Sequence, residues 1–573
     1  MNNQAKKWEV LFKDKVPKKK DLNKEEIVKI LLGNRGIKTK NEAEEFFNPT
    51  LPEKLTIVSL GINGEQVVKA ILRIKKAFKT QEKVIVYGDY DADGITGTAI
   101  LWETLYSLGL NVLPYIPERF SEGYGLNSES IKKLKEEDPG LGLIITVDHG
   151  IVAGKKVDIA KDLGIDVIIT DHHEPGKVKP KAFATIHTTA VGGAAVAWIF
   201  SQEIKKKIKT KNQKKKAIND GLDLAAIGTI ADQLALIGPN RSIAKYGLEA
   251  LRNTNRPGLL SLFMQAGIEK ENIGPYEVGF LIAPRINATG RLNHAIDSLR
   301  LLCVKEKKRA QELSGYIGRT NTERQRIVDE VVIHARERLG SGVKDSVIIL
   351  AHESYHEGVI GLAAAKLVEE FYQPAIVLST KGDIAKASAR SISGFNIIET
   401  IRKLDDLYIE GGGHPMAAGF SIETKHIEEF RVRINKIAKT LLTQEILSRK
   451  LRIDLELQFN QINQELVNAL KSFEPTGLGN PAPIFMSKDI NLVDARLVGQ
   501  AGKHLKLKLK QDSVVFDAIA FGQGSIYPKL TKETKLDIVY NIEENIWNGN
   551  KSLQLKIKDI LLVKPEIKNY NTI

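Results

Sequence analysis

From about Lys83 to Asp232, short β-branched apolar runs alternate with stretches of helical periodicity, the pattern of a parallel sheet covered by helices. Three of these runs end on an acid: VIVYGD at Asp89, LIITVD at Asp148 and VIITD at Asp171. The carboxyl ends of such strands share one edge of the sheet, so the pattern predicts that distant aspartates meet near its topological switch point. Between about Lys305 and Leu339 the chain is charged, proline-free and helix-favouring, and it stops at Gly340-Ser341-Gly342, which predicts one long connecting helix. VIILAHE and PAIVLST open a second, smaller α/β region that reaches to about residue 445. Beyond Phe485 the alternation in HLKLKLK, SVVFDAIAF, KLDIVYNI and SLQLKIKDI predicts a small antiparallel barrel or sheet of roughly five strands.

Composition narrows the class. With 573 residues there is room for three or four domains, and 42% apolar with 27% charged residues is the balance of a soluble globular chain. No apolar run reaches the roughly 18 residues of a membrane span, and the opening MNNQAKKWEV has no signal-peptide core. The single cysteine, Cys303, excludes an internal disulfide and a thiolate zinc cluster, reads as core filler, and suits a reducing cytoplasm. A net charge of +14 points to a polyanionic partner, and equally fits a solvated coat of lysines. The run Lys205 to Lys216 reads as an exposed insertion sooner than as a nucleic-acid contact.

The stretch VYGDYDADG carries the chemistry. Asp89, Asp91, Asp93 and Gly94 match the first six positions of a calcium loop, but the twelfth is Ile100 and the preceding residues are strand-like. If these three aspartates converge with Asp148, Asp171 and Asp232, they cannot all ionise unaided, so convergence implies divalent cations. His149, His172 and His173 accompany them. Carboxylates with one or two imidazoles and no thiolate suit Mn²⁺, and two cations sharing a carboxylate suit phosphoester hydrolysis. Taken singly, each Asp is better explained as a helix N-cap and each His as a satisfied core or surface residue, but strand, Asp and paired His together in TDHHEPG, Thr170 to Gly176, have no cheap structural explanation.

GDYDADG, TVDHG, TDHH and GTIADQLAL, in that order, resemble the four motifs of the DHH phosphoesterase superfamily, and GGGHPMAAGF (Gly411 to Phe420) resembles its DHH-associated domain. APRINATGRL (Ala283 to Leu292), the motifs between Tyr355 and Phe395, EPTGLGNPAPIF (Glu474 to Phe485), the β-rich tail and the opening LLGNRGIKTKNEAEEFFNP are similar to its single-strand-specific exonuclease branch. The fold this implies is α/β: a DHH domain with a parallel sheet over 1–304 including an N-terminal extension, a connecting helix over 305–342, a DHH-associated domain over 343–445 and an OB-fold barrel over 446–573.

The resemblance implies that Asp89, Asp91, Asp93, Asp148, His172 and Asp232 hold two Mn²⁺ or Mg²⁺ ions with Asp148 bridging, and that His173 faces the scissile phosphate. It places Asp91, Asp93, Asp148, His172 and His173 in the catalytic set. Arg285, Asn287 and Arg291 would engage the nucleic-acid backbone, Arg119, Ser388 and Arg390 a terminal 5′ phosphate, and His414 the departing nucleotide. Phe485, Phe516 and Trp547 are the aromatics of the tail that could stack on bases, or fill the barrel core. The segment after Pro180 is shorter than the family pattern, which leaves His187 open, and the position after Asp148 varies, which leaves His149 a supporting residue.

The activity implied is 5′→3′ degradation of single-stranded DNA to 5′-mononucleotides in repair and recombination. A single-strand-binding protein and a helicase are the protein partners it suggests, with no membrane. Two alternatives stay open: a phosphodiesterase of short oligonucleotides or cyclic dinucleotides, which would not need the tail, and a non-catalytic replication or repair scaffold, which would lack metal ligands. Every matched ligand position is filled here.

Overall fold

A computed structural model describes residues 6–12, 22–208, 221–340, 345–531, 533–547 and 550–563; the lysine run from residue 209 onward lies outside them. The chain forms two units, one of residues 49–447 and one of residues 3–48 with 448–573.

In the first unit, β1 (Lys83–Tyr87), β2 (Val112–Tyr115), β3 (Leu141–Val147), β4 (Asp166–Asp171) and β5 (Ala184–His187) form a wholly parallel sheet in the order β2-β1-β3-β4-β5. Both of its faces are buried. Val84 and Val86 enter one core, and Ile85 and Tyr87 enter another on the opposite side. The larger core is closed by α1 (Ala92–Ser107), α2 (Gly193–Lys207) and α3 (Leu222–Ala231). Helices α1 and α2 meet at small residues: a methyl on Gly97 would stand 3.1 Å from the Ala194 Cα. Order reverses between β1 and β3, so their carboxyl ends define the switch point.

Further along, α4 (Ala283–Leu292) precedes α5 (Lys307–Leu339), the long helix expected from the sequence. Its first half packs Leu313 and Ile317 into the large core, and its second half packs Val328, Val331 and Val332 against a second sheet. That sheet runs β9-β10-β8-β7-β6, from β6 (Ile348–His352), β7 (Ala375–Ser379), β8 (Ile384–Arg390), β9 (Tyr408–His414) and β10 (Ala417–Glu423), with α6 (Glu357–Phe371) against it. Only β6 and β7 are parallel.

The second unit holds a closed barrel of β11 (Phe485–Val498), β12 (His504–Gln511), β13 (Val514–Ala520), β14 (Lys535–Trp547) and β15 (Asn550–Val563), sealed by pairing of β11 with β14. The N-terminal segment, expected to extend the catalytic domain, belongs here. Lys7–Val10 pairs in parallel with Lys450–Ile453, and Ile27, Leu31 and Phe46 join the barrel core. Arg35 is the fastening: its guanidinium donates to Asn480 Oδ1 at 2.9 Å, to the Pro481 carbonyl at 2.6 Å and to Asp454 at 3.2 Å, with the pair almost closed to water. The LLGNRG and GLGNP motifs are thus one clasp, formed across some 445 residues of sequence.

The tail aromatics sort by burial. Phe485 is fully buried against Tyr540, and Phe516 is half-buried against the barrel core with its ring steeply inclined to Phe459. The side chain of Trp547 lies outside the described residues. Phe521, just after β13, has an exposed ring, beside His504 and under the Lys556 ammonium.

Candidate active site

The DYDADG segment is a strand end running directly into a helix. Asp91 is the N-cap of α1, its Oδ1 accepting from Asp93 N at 2.9 Å and Gly94 N at 3.0 Å. Gly94 is required by space: a Cβ there would stand 2.6 Å from the Asp89 Cβ. Its backbone is ordinary helix, so the calcium-loop alternative fails on geometry as well as on its twelfth position.

Asp148 follows β3 in the left-handed region at φ +67, a conformation rarely taken by a residue with a side chain. Its amide donates to the Thr170 carbonyl and its carbonyl accepts from the Tyr124 hydroxyl at 3.1 Å, which pins the backbone and aims the carboxylate off the sheet edge. His172, after β4, brings Nε2 to 3.0 Å from Asp148 Oδ1, 3.6 Å from Asp232 Oδ2 and 3.8 Å from Asp93 Oδ2. Three sets of ligand atoms lie within 4.8 Å of one another: Asp89, Asp91 and Asp148; Asp93, His172 and Asp232; and Asp148 with His172 and His173.

Electrostatics show that this cluster is unfinished as protein alone. Burial, reinforced by neighbouring aspartates, pushes Asp89, Asp93 and Asp148 far above the carboxylate range, and burial with the Asp91 charge lifts Asp232 to about 7. Burial lowers His172 to about 4, so its imidazole is neutral and offers a lone pair. Asp89 Oδ1 and Asp148 Oδ1 are buried with no hydrogen-bond partner, the latter although His172 Nε2 is only 3.0 Å away. Two buried acceptors this close, with no donor between them, are what a shared cation would satisfy. The donor set therefore fits a hard divalent cation. Asp93 has a second attachment, since its two oxygens accept from Gly193 N at 2.7 Å and Ala194 N at 2.9 Å at the start of α2.

Asp171 stands apart. Its oxygens accept from the backbone amides of Ile151, His172 and His173 and from His173 Nδ1, and although burial opposes its charge these bonds hold it at about 2. Burial likewise opposes charge on His173, but the Asp171 hydrogen bond prevails and raises it above its ordinary value. With Nδ1–H committed to Asp171, Nε2–H points towards the Tyr124 hydroxyl at 3.3 Å. His187 contacts the His173 carbonyl through Nε2 at 2.7 Å, and His149, lowered to about 4 by burial, contacts the Tyr87 carbonyl at 2.9 Å. Each of these two histidines thus binds a backbone carbonyl through Nε2.

A set of arginines faces the cluster. Burial, then the charges of Arg119, Arg324 and Arg390, depress Arg291 to about 9. None of the four makes a salt bridge among the described residues; Arg119 instead lies 4.9 Å over the Tyr90 ring. Ser388 and Arg390 on β8 touch each other at 3.3 Å beneath Gly361 of α6, where a methyl would stand 2.8 Å from Ser388 Oγ. Arg285 donates to Gln265 Oε1 and the Leu281 carbonyl, and Asn287 Oδ1 is buried without a partner. His414 is exposed at the end of β9, and no described hydrogen bond ties it to the aspartates. Gly413 beside it, at φ +148, leaves only 2.3 Å between a Cβ and the Ala417 carbonyl, so the hairpin itself demands that glycine. Tyr124 and Arg324 were not singled out from the sequence; the GYG turn after Arg119 was the available signal for the first.

A parallel sheet whose switch point gathers aspartates and the His172–His173 pair, joined by a long helix to a glycine-rich α/β domain, defines a DHH-class protein. Residues 83–229 match the DHH family, N-terminal domain, residues 344–440 the DHHA1 domain and residues 453–559 the RecJ OB domain. The chain is 32% identical to the single-stranded-DNA-specific exonuclease RecJ of Haemophilus influenzae, over 86% of this chain and 90% of that one. It is 39% identical to the Bacillus subtilis protein of the same name over 85% of this chain, spanning 62% of that longer relative. The crystal structure of RecJ from Thermus thermophilus in complex with Mn²⁺ superposes with a TM-score of 0.79 at 29% identity, covering 94% of this chain and 76% of that one; a Mg²⁺ complex of that protein also matches, at 0.72. The chain belongs to the RecJ family. No helix among the described residues is long and apolar enough to cross a membrane.

Proposed function

We propose that this chain is a metal-dependent exonuclease that degrades single-stranded DNA from its 5′ end and releases 5′-mononucleotides, in the service of repair and recombination. The observation that carries it is the unpartnered Asp148 oxygen 3.0 Å from a neutral His172, at the centre of carboxylates that cannot share charge without cations. Asp89, Asp91 and Asp148 would hold one Mn²⁺ or Mg²⁺, and Asp148, His172 and Asp232 with Asp93 the other, Asp148 being common to both. Cations bound there supply Lewis acidity and an acidified water.

The remaining groups position the strand. His173, whose affinity for a proton Asp171 raises, would in its protonated form offer Nε2–H to a non-bridging phosphate oxygen and stabilise developing charge there. Arg291, on which the Asp91 charge acts, would counter the phosphate at the cut, with Arg285 and Asn287 along the same helix engaging the backbone beyond it. Arg119, Ser388 and Arg390 would close on a terminal 5′ phosphate, which only a chain end supplies, and His414 would approach the released nucleotide. A single-strand-binding protein and a helicase are the protein partners this role invites, and the cytoplasm its compartment. Digestion of 5′-labelled and 3′-labelled single strands, with Mn²⁺ and with chelator, tests the reading. Mononucleotide release from the 5′ label with Mn²⁺ alone is expected; cleavage undiminished by chelator, or release from the 3′ label first, would overturn it.

A further inference from the structure

The turn of π-helix Glu277–Ile282 runs without a break into α4, Ala283 continuing in right-handed helical geometry. Where it begins, the rings of Tyr276 and Phe280 stack on each other, centroids 4.9 Å apart and planes 25° from parallel. They are 62% and 68% exposed. Two stacked rings left in water on a rigid helix bury little of their own surface in the fold, whereas exposed ring faces are what an unpaired base stacks on.

Their position on the helix is the second observation. Tyr276 and Phe280 open the same unbroken helical run that carries Arg285, Asn287 and Arg291. At about 1.5 Å per residue, Phe280 stands about 16 Å along the helix from Arg291, which lies among the arginines beside the aspartate cluster. Between them stand two guanidinium groups, Arg285 and Arg324, with the Asp329 carboxylate acting on the second. Arg285 and Arg324 make no salt bridge among the described residues, burial and their mutual repulsion lower Arg324, and its Nε is buried without a partner. A polyanion leaving the cluster along this helix meets cations first and aromatic faces next.

We propose that Tyr276 and Phe280 form a base-stacking platform for single-stranded DNA, a few nucleotides from the metal cluster, with Arg285 and Arg324 holding the intervening phosphates. The proposal rests on the nuclease reading above for its ligand, but its test needs no hydrolysis. The full chain is mixed, in chelator, with a short 5′-phosphorylated oligothymidylate, and separately with a sugar–phosphate strand of equal length lacking bases. The Tyr276→Ala/Phe280→Ala protein is expected to bind the oligothymidylate about five- to hundredfold more weakly than wild type, and the abasic strand equally well. Tyr276→Phe/Phe280→Trp, which keeps both ring faces, is expected to retain wild-type affinity. Undiminished oligothymidylate binding by the double alanine protein, as a platform for a protein partner would give, overturns the proposal, and so does an equal loss on the abasic strand. A wild-type protein that binds in this ring-dependent way yet cleaves no labelled strand would refute the nuclease reading alone.

Discussion

Gly193→Ala should inactivate the enzyme without touching a ligand. The first residue of α2 lies so close to Asp148 that a methyl there would stand 2.4 Å from its Oδ1 and 2.7 Å from its Cβ and Cγ, where ordinary contact begins at 3.4 Å. One side must yield by about 1 Å. The Asp148 backbone cannot, since its amide and carbonyl are both hydrogen-bonded and its φ is already in the left-handed region. The carboxylate must therefore turn away from His172, or α2 must lift and release the two amides that hold Asp93. Such overpacking costs about 1–3 kcal/mol of stability, and a displacement of about 1 Å at the reacting centre costs about a hundredfold in rate. Single-turnover release of nucleotide from a 5′-phosphorylated strand at saturating Mn²⁺ reads the rate, and thermal melting reads the stability. Gly154→Ala is the control, because a methyl at that helix start meets nothing within 4 Å. A Gly193→Ala enzyme within about threefold of wild type would refute the placement of Asp148 at the centre of the site.

Four further outcomes follow from the same geometry. Asp232 is raised from 3.8 to about 7 in the metal-free fold; being a raised acid, it withdraws stability as pH climbs from about 4 to about 7, by about 2 kcal/mol once its exposure to water is discounted. Chelated protein should thus melt lower at pH 7.5 than at pH 5, and Mn²⁺ should remove the difference; no pH dependence in chelator would count against a crowded cluster. Asp171→Asn should lower stability at neutral pH by about 2 kcal/mol, because the native carboxyl is held at about 2 and its contribution, present above pH 4, fades only as pH falls through that value; NMR titration of metal-free protein should show His173 ionising at lower pH in the variant. Arg390→Ala should slow 5′-phosphorylated strands towards the rate of 5′-hydroxyl strands and barely change the latter, and an unaltered preference would remove Arg390 from the phosphate pocket. Arg35→Ala should cost about 3–5 kcal/mol in urea unfolding of the second unit, since it strands Asp454 in a buried pocket; a loss below about 1 kcal/mol would mean the clasp is ornamental.

What the sequence made legible and what it hid divide along a physical line. Strands β1, β3 and β4 and the long helix were readable because periodicity and β-branching act within a few residues, and once the sheet is parallel its strand ends must share an edge. The N-terminal segment was misassigned to the catalytic domain because nothing local in LLGNRG says where Arg35 points; its partners Asp454 and Asn480 lie more than 400 residues away. The tail aromatics stayed open between base stacking and core filling for a related reason. Alternation marks which residues of a strand share a face, and in a closed barrel one face is core, so Phe485 went inward while Phe521, at a strand end, stayed in water.

Asp148 and Asp171 show where such reading stops. Both end a buried β-branched strand, the two strands are neighbours, and each is followed by histidine. Spacing alone would put both carboxylates in one site. The backbone separates them: Asp148 turns through φ +67, which keeps its side chain clear of the following amides and leaves an oxygen unpartnered towards His172. Asp171 accepts three backbone amides and the His173 imidazole, bonds that occupy both of its oxygens and lower it to about 2 against the cost of burial. A carboxylate so saturated makes a poor ligand and a good counter-ion, and one starved of donors makes a good ligand. The difference between them is set by which amides reach each carboxylate, a property of the folded turn that the residue types do not carry.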